Sequence, residues 1–270
     1  MEKVVEIKGS TITAPTFDAQ SNLCFCSMNG EVFLLPHHER AQTPIVLTKG
    51  IGPNGICFNN EGVLYVADGA DQCIKQLDPE NNQLGVVKRE YRGKPFTGPN
   101  NIVCDSKGRM FFTDSGPLGE TSLENPKGSV FCISPDFKQI QALAYECLAF
   151  PSSIVLSPQN EDIIYVAETM RNRILRFVHV NGVYHSSVFH QLSGSFGPMG
   201  LACDDEGNIY VSMYEFKQLT KEGRILVLTE SGSLRKEIIV DNICEMTGLY
   251  YKRGSLYISE GSCIYKYDFE

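Results

Sequence analysis

Two stretches decide how this chain folds: Gly52-Pro-Asn-Gly-Ile-Cys-Phe-Asn-Asn-Glu-Gly-Val-Leu-Tyr-Val-Ala-Asp68 and Gly98-Pro-Asn-Asn-Ile-Val-Cys-Asp-Ser-Lys-Gly-Arg-Met-Phe-Phe-Thr-Asp114. Each reads as an apolar run, a tight turn and a second apolar run, the pattern of an antiparallel strand pair. The pattern recurs from Phe150 to Glu168 and from Gly197 to Met213, so copies start at 52, 98, 150 and 197, with spacings of 46, 52 and 47 residues. Weaker copies run from Thr13 to Met28 and from Glu245 to Glu260. Two more strands follow each pair, as in Arg173-Ile-Leu-Arg-Phe177 and Gly223-Arg-Ile-Leu-Val-Leu228. A period of this length carrying four strands is a propeller blade. Six copies predict an all-β, six-bladed β-propeller with four-stranded antiparallel blades, one domain over residues 1–270. Val4 to Ile7 are expected to pair as the outer strand of the last blade and close the ring.

Composition narrows the function classes. The 270 residues carry a net charge of −8, with 42% hydrophobic and 21% charged residues, which excludes disorder and collagen. With 32 acids against 24 bases and no basic cluster longer than Lys88-Arg89, a nucleic-acid partner is not expected. The charged start Met1 to Lys8 has no apolar export segment, and no run is long enough to span a bilayer, so a cytoplasmic protein without a membrane partner is expected. The ten cysteines sit in strand-like runs such as Leu23-Cys24-Phe25-Cys26 and read as reduced core thiols. No Cys-x-x-Cys pair supports zinc. Asp105-Ser-Lys-Gly108 and Asp204-Asp-Glu-Gly207 lack calcium-hand spacing and read as turns. His37, His38, His179, His185 and His190 fall in outer strands or connections, and no serine elbow, metalloprotease helix or phosphate loop occurs.

In a propeller, the residue in the same slot of each innermost strand contributes to one ring around the tunnel. Those slots hold Thr13, Asn54, Asn100, Ser152, Met199 and Thr247, a hydrogen-bonding ring without a carboxylate. The ends of the second strands give an outer ring of Met28, Asp68, Asp114, Glu168, Met213 and Glu260. Insertions at Ser115–Lys127 and Tyr214–Glu222 are expected to overhang the same mouth. The candidate ligand-binding residues are therefore Thr13, Asn54, Asn100, Asn101, Ser152, Met199 and Thr247, with Asp114 as a candidate base. The competing reading makes Asp68, Asp114 and Glu168 turn caps, or partners of Arg171 and Arg173. An acidic mouth on an acidic chain favours a cationic or amine-bearing small molecule. A closed ring predicts a monomer.

These residues resemble the six-bladed superfamily of the senescence-marker-protein/gluconolactonase enzymes and the strictosidine-synthase-like proteins. Gly52-Pro-Asn-Gly-Ile with Leu64-Tyr-Val-Ala-Asp68 is also similar to an NHL repeat. Phe150-Pro-Ser-Ser-Ile-Val-Leu-Ser-Pro followed by Tyr165-Val-Ala-Glu-Thr-Met-Arg-Asn-Arg-Ile-Leu-Arg-Phe177 is similar to the fourth blade of strictosidine-synthase-like proteins. The lactonase branch implies a divalent cation held by a glutamate, two asparagines and an aspartate, the last also serving as base. By slot, Asn100 matches, whereas Thr13, Ser152 and Met199 replace the glutamate, the second asparagine and the aspartate. No cofactor is therefore expected, with a weakly held calcium left as the alternative. The strictosidine-synthase branch implies one glutamate of the last blade as proton handler, for which Glu245 is the nearest candidate. The expected function is a small-molecule-binding propeller acting as a lactone or ester hydrolase or an amine-handling enzyme. A non-catalytic ligand-binding or protein-interaction scaffold is the alternative.

Overall fold

The computed structural model describes residues 1–37, 43–117, 119–194, 196–215 and 221–269. They form six four-stranded antiparallel sheets arranged as blades, plus a two-stranded hairpin at Glu90–Tyr91 and Lys94–Pro95. Numbered from the tunnel outward, blade 1 comprises Ile12–Phe17, Leu23–Ser27, Glu31–Leu35 and Ile45–Lys49, and blade 2 Pro53–Phe58, Leu64–Asp68, Cys73–Leu77 and Leu84–Lys88. Blade 3 comprises Pro99–Cys104, Met110–Asp114, Gly128–Ile133 and Ile140–Leu148, and blade 4 Pro151–Leu156, Ile163–Glu168, Arg173–Val180 and Val183–Gln191. Blade 5 comprises Phe196–Cys203, Ile209–Glu215, Glu222–Leu228 and Leu234–Asp241. Blade 6 combines Met246–Lys252, Ser255–Glu260 and Cys263–Asp268 with Glu2–Glu6 from the other end of the chain. The expected closure is present: Glu2 pairs with Lys266 and Glu6 with Cys263.

The burial gradient explains the sequence pattern. Second strands lie between two sheet faces, so Leu23–Ser27, Leu64–Asp68 and Met110–Asp114 are buried at every position and read as continuous apolar runs. Outer strands such as Val183–Gln191 are mostly exposed and polar. Cores form between neighbouring blades; Tyr65, Ala67 and Ile74 of blade 2 pack on Ile102, Met110, Phe112 and Phe131 of blade 3. Each fully buried Phe or Ile contributes about 1.5–3 kcal/mol.

The acidic turns are structural. Asp105 accepts from the N–H groups of Lys107 and Arg109, and Asp204 from those of Glu206 and Asn208, while Gly108 and Gly207 supply φ values of +78° and +85°. All ten cysteines are free thiols. His179, His185 and His190 lie in the outer two strands of blade 4, His37 follows blade 1's third strand, and His38 is outside the described residues. Among the described residues, no helix is long and apolar enough to cross a membrane.

Removing Met1–Lys8 deletes the outer strand of blade 6, including buried Val5. The expected result is a melting temperature lower by roughly 5 °C or more, with concentration-dependent association through the bared edge of Cys263–Asp268. An unchanged, concentration-independent melting curve would contradict this closure.

Candidate functional site

The strand register gives the slots a common position. Ile12, Pro53, Pro99, Pro151, Pro198 and Met246 face Ser27, Asp68, Asp114, Glu168, Met213 and Glu260 on the second strands. Thr13, Asn54, Asn100, Ser152, Met199 and Thr247 follow immediately. Each inner strand breaks register at or just after its slot, so a bulge re-aims the local side chains. The register corrects one member of the outer ring: Ser27 occupies the place expected for Met28, which is 58% exposed in the following turn.

The inner-strand residues and their neighbours hold blades together. Asn54 Nδ2 donates to Pro99 O at 3.4 Å, joining blades 2 and 3. Asn100 Nδ2 donates to Ser115 Oγ at 2.8 Å, and Ser115 Oγ donates to Pro151 O of blade 4 at 2.9 Å. Thr113 Oγ1 reaches Ser152 O at 3.1 Å across the same junction. Ser152 Oγ donates to Met199 O of blade 5 at 2.9 Å, and the Thr169 hydroxyl lies 2.8 Å from both Ser152 Oγ and Pro198 O. Ser212 Oγ bonds Met246 O of blade 6 at 3.4 Å, and Thr247 Oγ1 bonds Ile12 O of blade 1 at 3.2 Å. Among the described residues, five of the six junctions thus carry a side-chain clasp onto the next inner strand. Asn101 Oδ1 accepts from Ile154 N at 3.4 Å. Thr13 makes no side-chain hydrogen bond among the described residues, and Met199 offers only a thioether.

Three acids of the outer ring are clasps of another kind. Asp68, fully buried, accepts from the N–H groups of Ile51, Gly52 and Asp71 at 2.9–3.0 Å and from Lys75 Nζ at 2.8 Å. Burial pushes its pKa up, but the Lys75 ammonium and these N–H groups outweigh burial and hold it below the ordinary carboxylate value. Glu168 accepts from Ala149 N at 2.7 Å and pairs with Arg171 at 3.0 Å and Arg173 at 2.6 Å. Asp114 accepts from Thr97 N, Thr97 Oγ1 and Gly98 N; here burial prevails and raises the pKa. Its oxygens are spent on the loop before its own inner strand, beside a cleft of about 450 Å³ that also contains Lys94, Tyr145 and Asn125.

Carboxylates without hydrogen-bond partners lie elsewhere. Among the described residues, neither the Glu245 nor the Glu260 side chain makes a hydrogen bond or ion pair, and both residues are partly exposed. Both lie near Cys244, and Glu245 also lies near Tyr214: burial first, then Glu260 and Glu245, raises the Cys244 thiol, and burial followed by Glu245 raises the Tyr214 phenol. Sequence reasoning named Glu245 and placed Glu260 in a ring, but missed that Glu260 escapes the clasp role of its counterparts.

Just below the slots, a cavity of about 330 Å³ occupies the tunnel, lined by all six inner strands with Phe17, Phe58, Cys104, Leu156, Cys203 and Tyr251 toward its far end. Of the nine candidate residues only Asn101 lines it. The insertion after Asp114 flanks blade 3, with Pro117, Asn125, Pro126 and Lys127 in the Asp114 cleft. In the insertion after Met213, residues 216–220 lie outside the described residues.

The protein-family model described as SMP-30/Gluconolactonase/LRE-like region matches residues 13–260. The chain belongs to this family. It is 30% identical over 245 residues to lactonase drp35 of Staphylococcus aureus strain USA300, covering 86% of this chain and 71% of that protein. A gluconolactonase structure from Xanthomonas campestris superposes with a TM-score of 0.79 at 21% identity, covering 97% and 86% of the two chains. A calcium-binding regucalcin from Agrobacterium tumefaciens superposes with a TM-score of 0.78 at 16% identity, covering 98% and 92%. The structural likenesses establish the fold.

The divalent cation implied by the family resemblance does not fit the slots of this chain. Thr13, Asn100, Ser152 and Met199 include no carboxylate, the Ser152 hydroxyl is buried and engaged, and a thioether is a poor ligand for a hard cation. Among the described residues, no group of three or more His, Cys, Asp or Glu side chains could hold a metal ion.

The clasp reading of Asp68 makes a pH-dependent prediction. Asp68→Asn leaves Lys75 with a weakened partner and should cost about 3 kcal/mol at pH 7 in urea unfolding. Because the folded pKa is depressed, this contribution is present above the unfolded value of about 3.9 and disappears as pH falls through the folded value. The gap between wild type and variant should therefore narrow below about pH 4. A gap independent of pH would assign the cost to packing.

Proposed function

We propose that the protein is a lactone or ester hydrolase that works at the tunnel mouth, with its base at the junction of blades 5 and 6, without a bound divalent cation. One observation carries this reading: among the described residues the Glu245 and Glu260 carboxylates make no hydrogen bond, whereas Asp68, Asp114 and Glu168 are consumed by clasps. The lactonase relatives support the substrate class, and the donor chemistry at Thr13, Ser152 and Met199 supports a route without the cation. Glu245 takes a proton from water as its oxygen attacks the ester carbonyl. The second amide N–H groups of Asn54 and Asn100 stabilise the developing oxyanion, and as the C–O bond breaks the leaving oxygen takes the proton from Glu245, giving a hydroxy acid from a lactone or an acid and an alcohol from an ester. This use of Glu245 matches the strictosidine-synthase-like resemblance, in which a last-blade glutamate handles the proton. Two carboxylates without an ion pair among the described residues favour ligands with an amine or other cationic group. A monomer in a reducing cytoplasm fits the closed ring and the ten free thiols.

A second reading, ligand binding without turnover, is favoured by the engagement of Ser152 at the slot where the resemblance implies a metal ligand. Turnover of γ- and δ-lactones and aryl esters by EDTA-treated protein separates the two. The hydrolase reading predicts metal-free turnover that falls about 100-fold or more in Glu245→Gln and in Asn100→Ala, with an unchanged melting temperature in Glu245→Gln. Turnover that appears only on adding calcium, or wild-type rates in both variants, would overturn it. Lactone binding with no turnover would establish the second reading.

A further inference from the structure

We propose that Cys57 and Cys104 form a reversible disulfide across the tunnel wall, stapling blade 2 to blade 3 when the protein meets a peroxide. Their Sγ atoms lie 3.2 Å apart, and among the described residues no other two thiols hydrogen-bond each other. The contact follows from the backbone. Gly55 lets the inner strands of blades 2 and 3 approach so closely that a Cβ at this position would stand 2.5 Å from Asn100 O and 2.7 Å from Asn101 Cα. Cys57 is two residues further along one strand, and Cys104 ends the other, so the same approach presses their side chains together.

Access comes from the tunnel. Both residues line the cavity of about 330 Å³, which admits a molecule as small as hydrogen peroxide. Cys104 is the more exposed of the two; Cys57 is 7% exposed, and its burial pushes the thiol pKa up, so that it stays protonated. Cys104 is therefore the thiol that reacts first and Cys57 the resolving partner. In the first step Cys104 Sγ attacks one peroxide oxygen, the O–O bond breaks, and the thiol proton leaves with the departing oxygen as water, giving a sulfenic acid. Cys57 Sγ then attacks the Cys104 sulfur, the S–O bond breaks, and the hydroxide takes the Cys57 proton as a second water. Two thiols lose two electrons, and one peroxide gains them.

The test is non-reducing peptide mapping of the full chain after stoichiometric hydrogen peroxide. The expected product joins the peptides containing Cys57 and Cys104 with the loss of two hydrogens, and dithiothreitol reverses it. Two iodoacetamide-reactive thiols disappear together, and the oxidised protein melts higher by roughly 5 °C or more because the bridge closes a loop of about 47 residues. In Cys104→Ser the remaining Cys57 should stay a free thiol. Conversion of Cys104 to sulfinic or sulfonic acid with Cys57 still alkylatable would overturn the proposal, as would preferential cross-linking through any other cysteine. Because the mapping reads wild-type protein, the result does not depend on the variant folding.

Discussion

A propeller blade ends, at the tunnel, in a strand whose inner edge has no partner, and the clasp from one blade to the next inner strand is the interaction on which this molecule depends. Asn54, Thr113, Ser115, Ser152, Thr169, Ser212 and Thr247 direct amide or hydroxyl donors at carbonyls of the following blade. Each bond contributes only about 0.5–1.5 kcal/mol net, but leaving its carbonyl buried and unsatisfied would cost about 1–3 kcal/mol. The apolar cores between blades supply most of the energy, and the clasps fix where the inner strands sit.

That requirement reaches into the chemistry. A ring residue cannot both satisfy a neighbouring carbonyl and present the same donor to a ligand, and Ser152 is committed to Met199 O. The acids follow the same logic, since Asp68, Asp114 and Glu168 anchor the loop that leads into their own inner strand. Blade 6 is the exception. The residue entering its inner strand is Glu245, and among the described residues the carboxylate of Glu260 has none of the backbone N–H groups and cations that engage Asp68 and Glu168. Acidity unspent on structure is left at one junction, where the proposed chemistry sits.

The fold was legible because the repeat encodes it directly: burial on both faces makes the second strands apolar throughout, and turn chemistry punctuates them at fixed offsets. The slots were legible too, since they follow from repeat phase and the register places all six equivalently. What those side chains do was not legible. Asn54 as ligand donor and Asn54 as clasp for Pro99 O are the same letter, and only the separation between blades distinguishes them. Met28 was misplaced by one residue because blade 1 has the weakest copy of the motif. The contact between Cys57 and Cys104 depends on the strand approach at Gly55, which no local pattern announces.

Thr13, Ser152 and Met199 leave the slot set without the hard anionic donors that a divalent cation needs, and Ser152 is committed to the scaffold. Calorimetric titration of calcium into EDTA-stripped protein tests it most directly, beside a Thr13→Glu, Ser152→Asn, Met199→Asp variant that supplies hard oxygen donors at the same slots. The account predicts no binding heat for the wild type into the millimolar range and a saturable site in the triple variant. Micromolar, one-to-one calcium binding by the wild type would contradict it.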